Sequence, residues 1–252
     1  MPSSDEIYIA RAKSSQEVLK TATLFQNLSI NALITGPEGS GKSTLARFMQ
    51  SDAVIADAKN VDELLSLLER SDKVIIENFD KLTKYSSLDF SHKKVIGISA
   101  KKLDEKIVDR FFGITIELPP FSERMEDVGP IAEKFLTQAK DVLMYKEDIP
   151  LDVSMLDISQ NGHSLKKSVF FRLLEDEITE GEILALMESF LRKRIDGNNI
   201  YREYLYLYED PLIRVGLERY RSQLKLSDAL GLNRNTLRKK INELSIKVND
   251  DD

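Results

Sequence analysis

A chain of 252 residues has room for one to three domains, and an apolar fraction of 42% suits folded cores. It holds no cysteine and only two histidines, His92 and His163, far apart, which excludes disulfides and thiolate metal sites and disfavours a histidine-based one. The net charge is −6, no apolar run is long enough to cross a bilayer, and the polar, acidic start is unlike a secretion signal, so a cytoplasmic location is expected.

Residues 14–28 (SSQEVLKTATLFQNL) have helical spacing, with Val18, Leu19, Ala22, Leu24 and Phe25 apolar and Ser14 or Ser15 placed as N-cap. The next stretch, 31–48 (NALITGPEGSGKSTLARF), organises the rest. An apolar run enters a turn and leaves on a helix, and Gly36, Pro37, Glu38, Gly39, Ser40, Gly41, Lys42, Ser43 and Thr44 fit the pattern G-x-x-x-x-G-K-[ST]. The glycines let backbone N–H groups turn inward on phosphate oxygens, and the helix N-terminus adds positive potential. Lys42 supplies a mobile charge to the terminal phosphates, and Ser43 is placed to ligate magnesium. ATP or ADP with Mg2+ is therefore the expected cofactor.

A short buried strand at 53–56 and a helix at 61–70 follow. Residues 73–82 (KVIIENFDKL) form a strand ending in acids, the Walker B arrangement that brings a carboxylate to the magnesium beside Ser43. Glu77 is the candidate for that carboxylate. The next position, where such ATPases keep the carboxylate that polarises water, is Asn78. An amide cannot take a proton, so weak or absent hydrolysis is expected, with Asp80 the one nearby carboxylate able to substitute. Strands follow at 94–100 and 114–118, with a charged helix across 103–110 between them. Ser99, at the end of the first, is placed either to face the γ-phosphate or simply to end its strand. From 121 to about 195 strand signals vanish, and 133–143, 165–175 and 180–194 read as helices of a lid.

The run from Leu118 to Val128 (LPPFSERMEDV), followed by Ile131, Ala132, Glu133, Lys134, Phe135 and Leu136, resembles a signature of the AAA+ domain in sigma-54-dependent activators. Residues 15–42 also resemble the start of that domain. The resemblance implies that Arg110, just before the fifth strand, reaches a neighbouring subunit's nucleotide. It implies too that Lys166 stands in for a lid arginine, although the family's G-N-V-R-E-L is reduced here to Gly162-His163-Ser164-Leu165-Lys166-Lys167. The family's long insertion with its GAFTGA loop has no counterpart: only 28 residues separate Thr44 from Lys73, a spacing nearer that of DnaA-like proteins. Direct activation of sigma-54 polymerase is not expected.

Towards the C-terminus the charge changes sign. Residues 212–247 carry nine basic side chains against three acidic ones, a net +6 that leaves −12 for the remainder of the chain. Tyrosines crowd 201–208, which suits an aromatic dimer seam or a lid contact more than a nucleic-acid stacking surface. A helix starting at Pro211, a short helix at 226–230 ended by Gly231, and a third capped by Asn233 follow the grammar of a helix-turn-helix. Off the apolar stripe of Leu237, Ile241 and Leu244, the third helix displays polar and basic side chains towards a major groove. The stretch from Ala229 to Lys240 (ALGLNRNTLRKK), with Asp210-Pro211-Leu212, resembles the DNA-binding end of the Fis family. That resemblance implies DNA contacts by Asn233, Arg234, Thr236, Arg238 and Lys239 and a dimer through the helix from Pro211.

The expected fold is thus α/β, a P-loop AAA+ parallel sheet (1–122) with a helical lid (123–197), followed by an all-α Fis-like helix-turn-helix domain (198–252). The expected function is a transcriptional regulator that binds double-stranded DNA as a homodimer or higher homo-oligomer, with nucleotide controlling assembly. A DnaA-like ATPase of replication initiation, and an architectural DNA binder with a vestigial nucleotide fold, are the alternatives.

Overall fold

Five short apolar runs pair as one parallel sheet in the computed structural model, which describes residues 8–175 and 178–247. They are β1 (Ala32–Thr35), β2 (Val54–Asp57), β3 (Lys73–Glu77), β4 (Lys94–Ser99) and β5 (Ile114–Glu117), in spatial order β2-β3-β4-β1-β5. A sheet with every strand parallel must be covered on both faces. Period-two alternation sends Ala32, Ile34, Ile96 and Ile98 to one face, against Ala22 and Phe25 of α1 (Lys13–Gln26) and Leu45 and Met49 of α2 (Lys42–Met49). Leu33, Val74, Ile76 and Val95 go to the other, against Leu64 and Leu68 of α3 (Val61–Arg70) and Phe111 of α4 (Glu105–Phe111). The lid is a helical pair, α5 (Met125–Leu143) and α6 (Gly162–Leu174), closed around Val128, Ala132, Leu165, Val169 and Leu173.

Several local expectations need correction. Helix α1 starts at Lys13 behind Ala12, which brings no side-chain cap, so neither Ser14 nor Ser15 is the N-cap. The cap comes from far along the chain: Asp127 Oδ1 accepts the Arg11 and Ala12 N–H groups at 2.5 and 2.9 Å, and Ser15 donates to its other oxygen. Helix α5 begins at Met125, well before residue 133, and runs through Pro130, because its first turns already bury Asp127 and Val128.

The chain divides into two compact units, Met1–Ile178 and Thr179–Asp252. Helix α7 (Glu180–Arg192) falls in the second, although its sequence reads as the end of the lid; none of its residues is buried, and the lid core ends at Leu173. The second unit continues with α8 (Ile200–Tyr204), α9 (Tyr206–Tyr220), α10 (Gln223–Leu230) and α11 (Arg234–Glu243). Pro211 does not start α9 but lies inside it. Ile213, Leu226, Leu237 and Ile241 form the small core of this unit, and Gly216 lets Leu226 approach α9 more closely than any side chain would allow. No helix among the described residues is long and apolar enough to cross a membrane.

One glycine of the phosphate loop is fixed by the sheet itself. Gly36 has φ 145°, and a methyl group there would stand 2.4 Å from the Leu118 carbonyl oxygen, a backbone atom held by the β1–β5 ladder. Gly36→Ala is expected to cost about 3 kcal/mol of stability. The denaturant midpoint measures it, and an unchanged midpoint would contradict the close approach.

Candidate functional site: a phosphate loop under a helical lid

The turn between β1 and α2 has three glycines at positive φ, Gly36 (145°), Gly39 (74°) and Gly41 (95°). Gly41 is the N-cap of α2 and offers no side chain, so the first amides of that helix stay available to an anion. Lys42 is 8% exposed, and its ammonium donates to the Gly36 and Pro37 carbonyls at 2.7 and 2.6 Å. Burial pushes its pKa down, while Glu38 and Asp80 pull it back up. Ser43 Oγ donates to Glu77 Oε1 at 2.9 Å, bringing together the hydroxyl and the carboxylate expected to serve one cation.

A cavity of about 320 Å3 opens over the loop. Gly39 to Thr44 form its floor, with Lys166, Lys134 and His163 from the lid helices and an apolar wall of Tyr8, Ile9, Ile131 and Phe135. No carboxylate is among its lining residues within the described part of the chain. The lid is bonded directly to the loop: Gly162 N–H donates to the Gly39 carbonyl at 3.0 Å, and the Asn161 amide donates to the Glu38 carbonyl at 2.9 Å while accepting the Phe121 N–H at 2.7 Å.

The remaining sequence candidates lie elsewhere. Ser99 is fully buried, but its hydroxyl is engaged with the Lys101 backbone just beyond β4 rather than with the cavity. Asn78 takes φ 55° and donates to Asp57 Oδ1 at 2.9 Å, turned towards the end of β2. Asp80 sits in the short helical turn Phe79–Lys81, where the Ala100 N–H donates to it at 3.2 Å. Arg110 is exposed near the end of α4 and stacks on Phe111, away from the cavity. Sequence reasoning missed Arg124, whose guanidinium donates to the Ser40 carbonyl, and Asn161. The only trace of the first was its place in the run after the paired prolines.

In the second unit Asn233 caps α11, accepting the Asn235 N–H at 2.8 Å. Leu237 and Ile241 face inward, leaving Asn233, Arg234, Thr236, Arg238 and Lys239 exposed. Of the tyrosines ahead of them, Tyr204 donates to the Arg194 carbonyl at 3.0 Å, and Tyr201 and Tyr208 stand in solvent.

The parallel five-stranded sheet, its order and the helical lid bonded over the glycine-rich turn define a mixed α/β fold of the AAA+ type with a helical C-terminal portion. No family model matches the chain. It is 29% identical over 187 residues to the DNA-binding transcriptional regulator NtrC of Azospirillum brasilense, and 26% identical over 186 residues to NtrC of Rhizobium meliloti. Each alignment covers 57% of this chain and 38% of the relative, so the chain spans well under half the length of the curated relatives it matches. Among solved structures, NtrX from Brucella abortus in complex with ATP matches 95% of this chain and 70% of its own, at a TM-score of 0.55 and 15% identity. The complex of the same protein with ADP gives 0.56 at 15% identity, over 96% of this chain and 69% of its own. The chain is thus similar in sequence to NtrC over part of its length and shares the fold of NtrX.

Proposed function

We propose that this chain is a DNA-binding transcriptional regulator whose AAA+ domain binds ATP or ADP and uses that occupancy to set assembly. The observation that carries the reading is the cavity over the phosphate loop. Among the described residues its lining holds cations and helix amides and no carboxylate, and the apolar side chains of Tyr8, Ile9, Ile131 and Phe135 flank them. The ATP- and ADP-bound NtrX structures, of the same fold, agree with it.

A magnesium ion fits the oxygen pair Ser43 and Glu77, which would hold it, and it would neutralise phosphate charge there. Lys42 grips the phosphates, Lys166 approaches them from the lid, and Arg110, at the surface, is available to a neighbouring copy. Asn78, an amide held by Asp57, supplies no base, which favours a binding switch over a motor. In the second unit the exposed row on α11 contacts duplex DNA. Leu212 and Val215 on α9, with Ile183 and Leu184 on α7, offer apolar surface for pairing with a second copy. Two-fold pairing predicts inverted-repeat sites.

A nucleotide shifts assembly only by its differential affinity for the two states. Duplex affinity of the purified chain, measured by fluorescence anisotropy without nucleotide, with ADP and with ATP, is expected to differ about fivefold or more between states. Equal affinities in all three, together with an unchanged sedimentation coefficient, would refute the coupling.

A further inference from the structure

Arg124 and Asp127 are 1% and 0% exposed and lie 3.4 Å apart. A buried ion pair adds little net stability over apolar packing of the same volume, so its effect is sought in the geometry it fixes. The guanidinium reaches three separate parts of the first unit: it donates to the Ser40 carbonyl in the phosphate loop, to the Pro119 carbonyl at 3.1 Å, and to the Tyr8 hydroxyl at 3.5 Å. Asp127 in turn holds the lead-in to α1 through the Arg11 and Ala12 N–H groups and the Ser15 hydroxyl. Tyr8 and Ser40, both bonded to Arg124, line the nucleotide cavity.

We infer that Arg124 and Asp127 are positioning residues that make residues 8–12 report whether the cavity is filled. A molecule seated between Tyr8 and the phosphate loop steadies two groups that share one guanidinium. That guanidinium is paired with the carboxylate on which the backbone of residues 11 and 12 hangs. Linkage makes the effect reciprocal: a force that draws residues 8–12 away loosens the grip on the ligand by the same factor. The inference rests on the nucleotide-binding reading and adds the route by which occupancy leaves the site.

Amide hydrogen exchange at Arg11 and Ala12 in the full chain, with and without saturating ADP, tests it, with ADP binding measured separately by calorimetry. Exchange at both amides is expected to slow about tenfold or more with ADP. Asp127→Asn should abolish that difference and weaken ADP about tenfold, whereas Ser15→Ala, which leaves the ion pair intact, should keep it. Unchanged exchange in wild type with ADP demonstrably bound overturns the relay, whether or not Asp127→Asn folds. No calorimetric binding of ADP would instead bring down the nucleotide reading, and the relay with it.

Discussion

Replacing Lys42 with alanine is expected to weaken adenine-nucleotide binding by a factor of about one hundred or more. The side chain is buried at the floor of the cavity, and its ammonium is satisfied by two backbone carbonyls of its own loop. Neutral carbonyls are weak partners for a buried cation, and burial accordingly depresses its pKa. Phosphate oxygens offer that cation a full countercharge. Hydrogen bonds to a charged group contribute about 1.5–3 kcal/mol each, so two of them account for the expected loss. The variant should still fold, because Lys42 itself lines the open cavity and water can enter the space its side chain leaves. Calorimetric titration with ADP measures the effect, and an affinity within threefold of wild type would mean that the ligand does not sit over this loop.

The parts of the site that the sequence reveals are those whose chemistry is local. The groups from Gly36 to Thr44 proposed to bind phosphate are consecutive, and their spacing alone specifies the turn. The pairing of Ser43 with Glu77 is legible as well, because the first carboxylate at the end of an apolar strand beside that loop has few places to go. The five strands followed from short apolar runs, since a parallel sheet buried on both faces leaves that trace. What stayed hidden are contacts between distant segments. The cap of α1 is given by Asp127, and a cap supplied from another element leaves no mark beside the helix it serves. Arg124 reads as an ordinary charged residue until its partners on the phosphate loop and at Tyr8 are placed. Ser99 keeps both of its readings by position alone, and what the sequence does not reveal is that its hydroxyl is engaged with the Lys101 backbone two residues on. Pro211 reads as a helix start by its missing N–H, yet a proline in the second turn costs a single backbone bond.

In the second unit, the double substitution Arg234→Ala with Arg238→Ala is expected to lower duplex affinity about one-hundredfold or more and to flatten discrimination between sites. Helix α11 is rigidly presented, capped by Asn233 and anchored by Leu237 and Ile241 in the unit's core. That anchoring fixes which side chains point outward: Arg234, Thr236, Arg238 and Lys239 are exposed. Lys240 is different, held by Glu209 at 2.5 Å and half-buried, so it serves the packing of α11 on α9. Each lost contact to a base edge costs about 1–3 kcal/mol, and two together give the expected factor. Lys239 makes only a loose surface pair with Glu243 at 3.7 Å and is free to turn to a phosphate. Lys239→Ala should therefore weaken all duplexes alike and reduce the slope of log affinity against log salt by about one. Because all three side chains are exposed, stability should change by less than about 0.5 kcal/mol per substitution, which separates lost binding from lost folding. Anisotropy titrations at several salt concentrations read both effects, and a double variant that binds duplex within threefold of wild type would remove α11 from the groove.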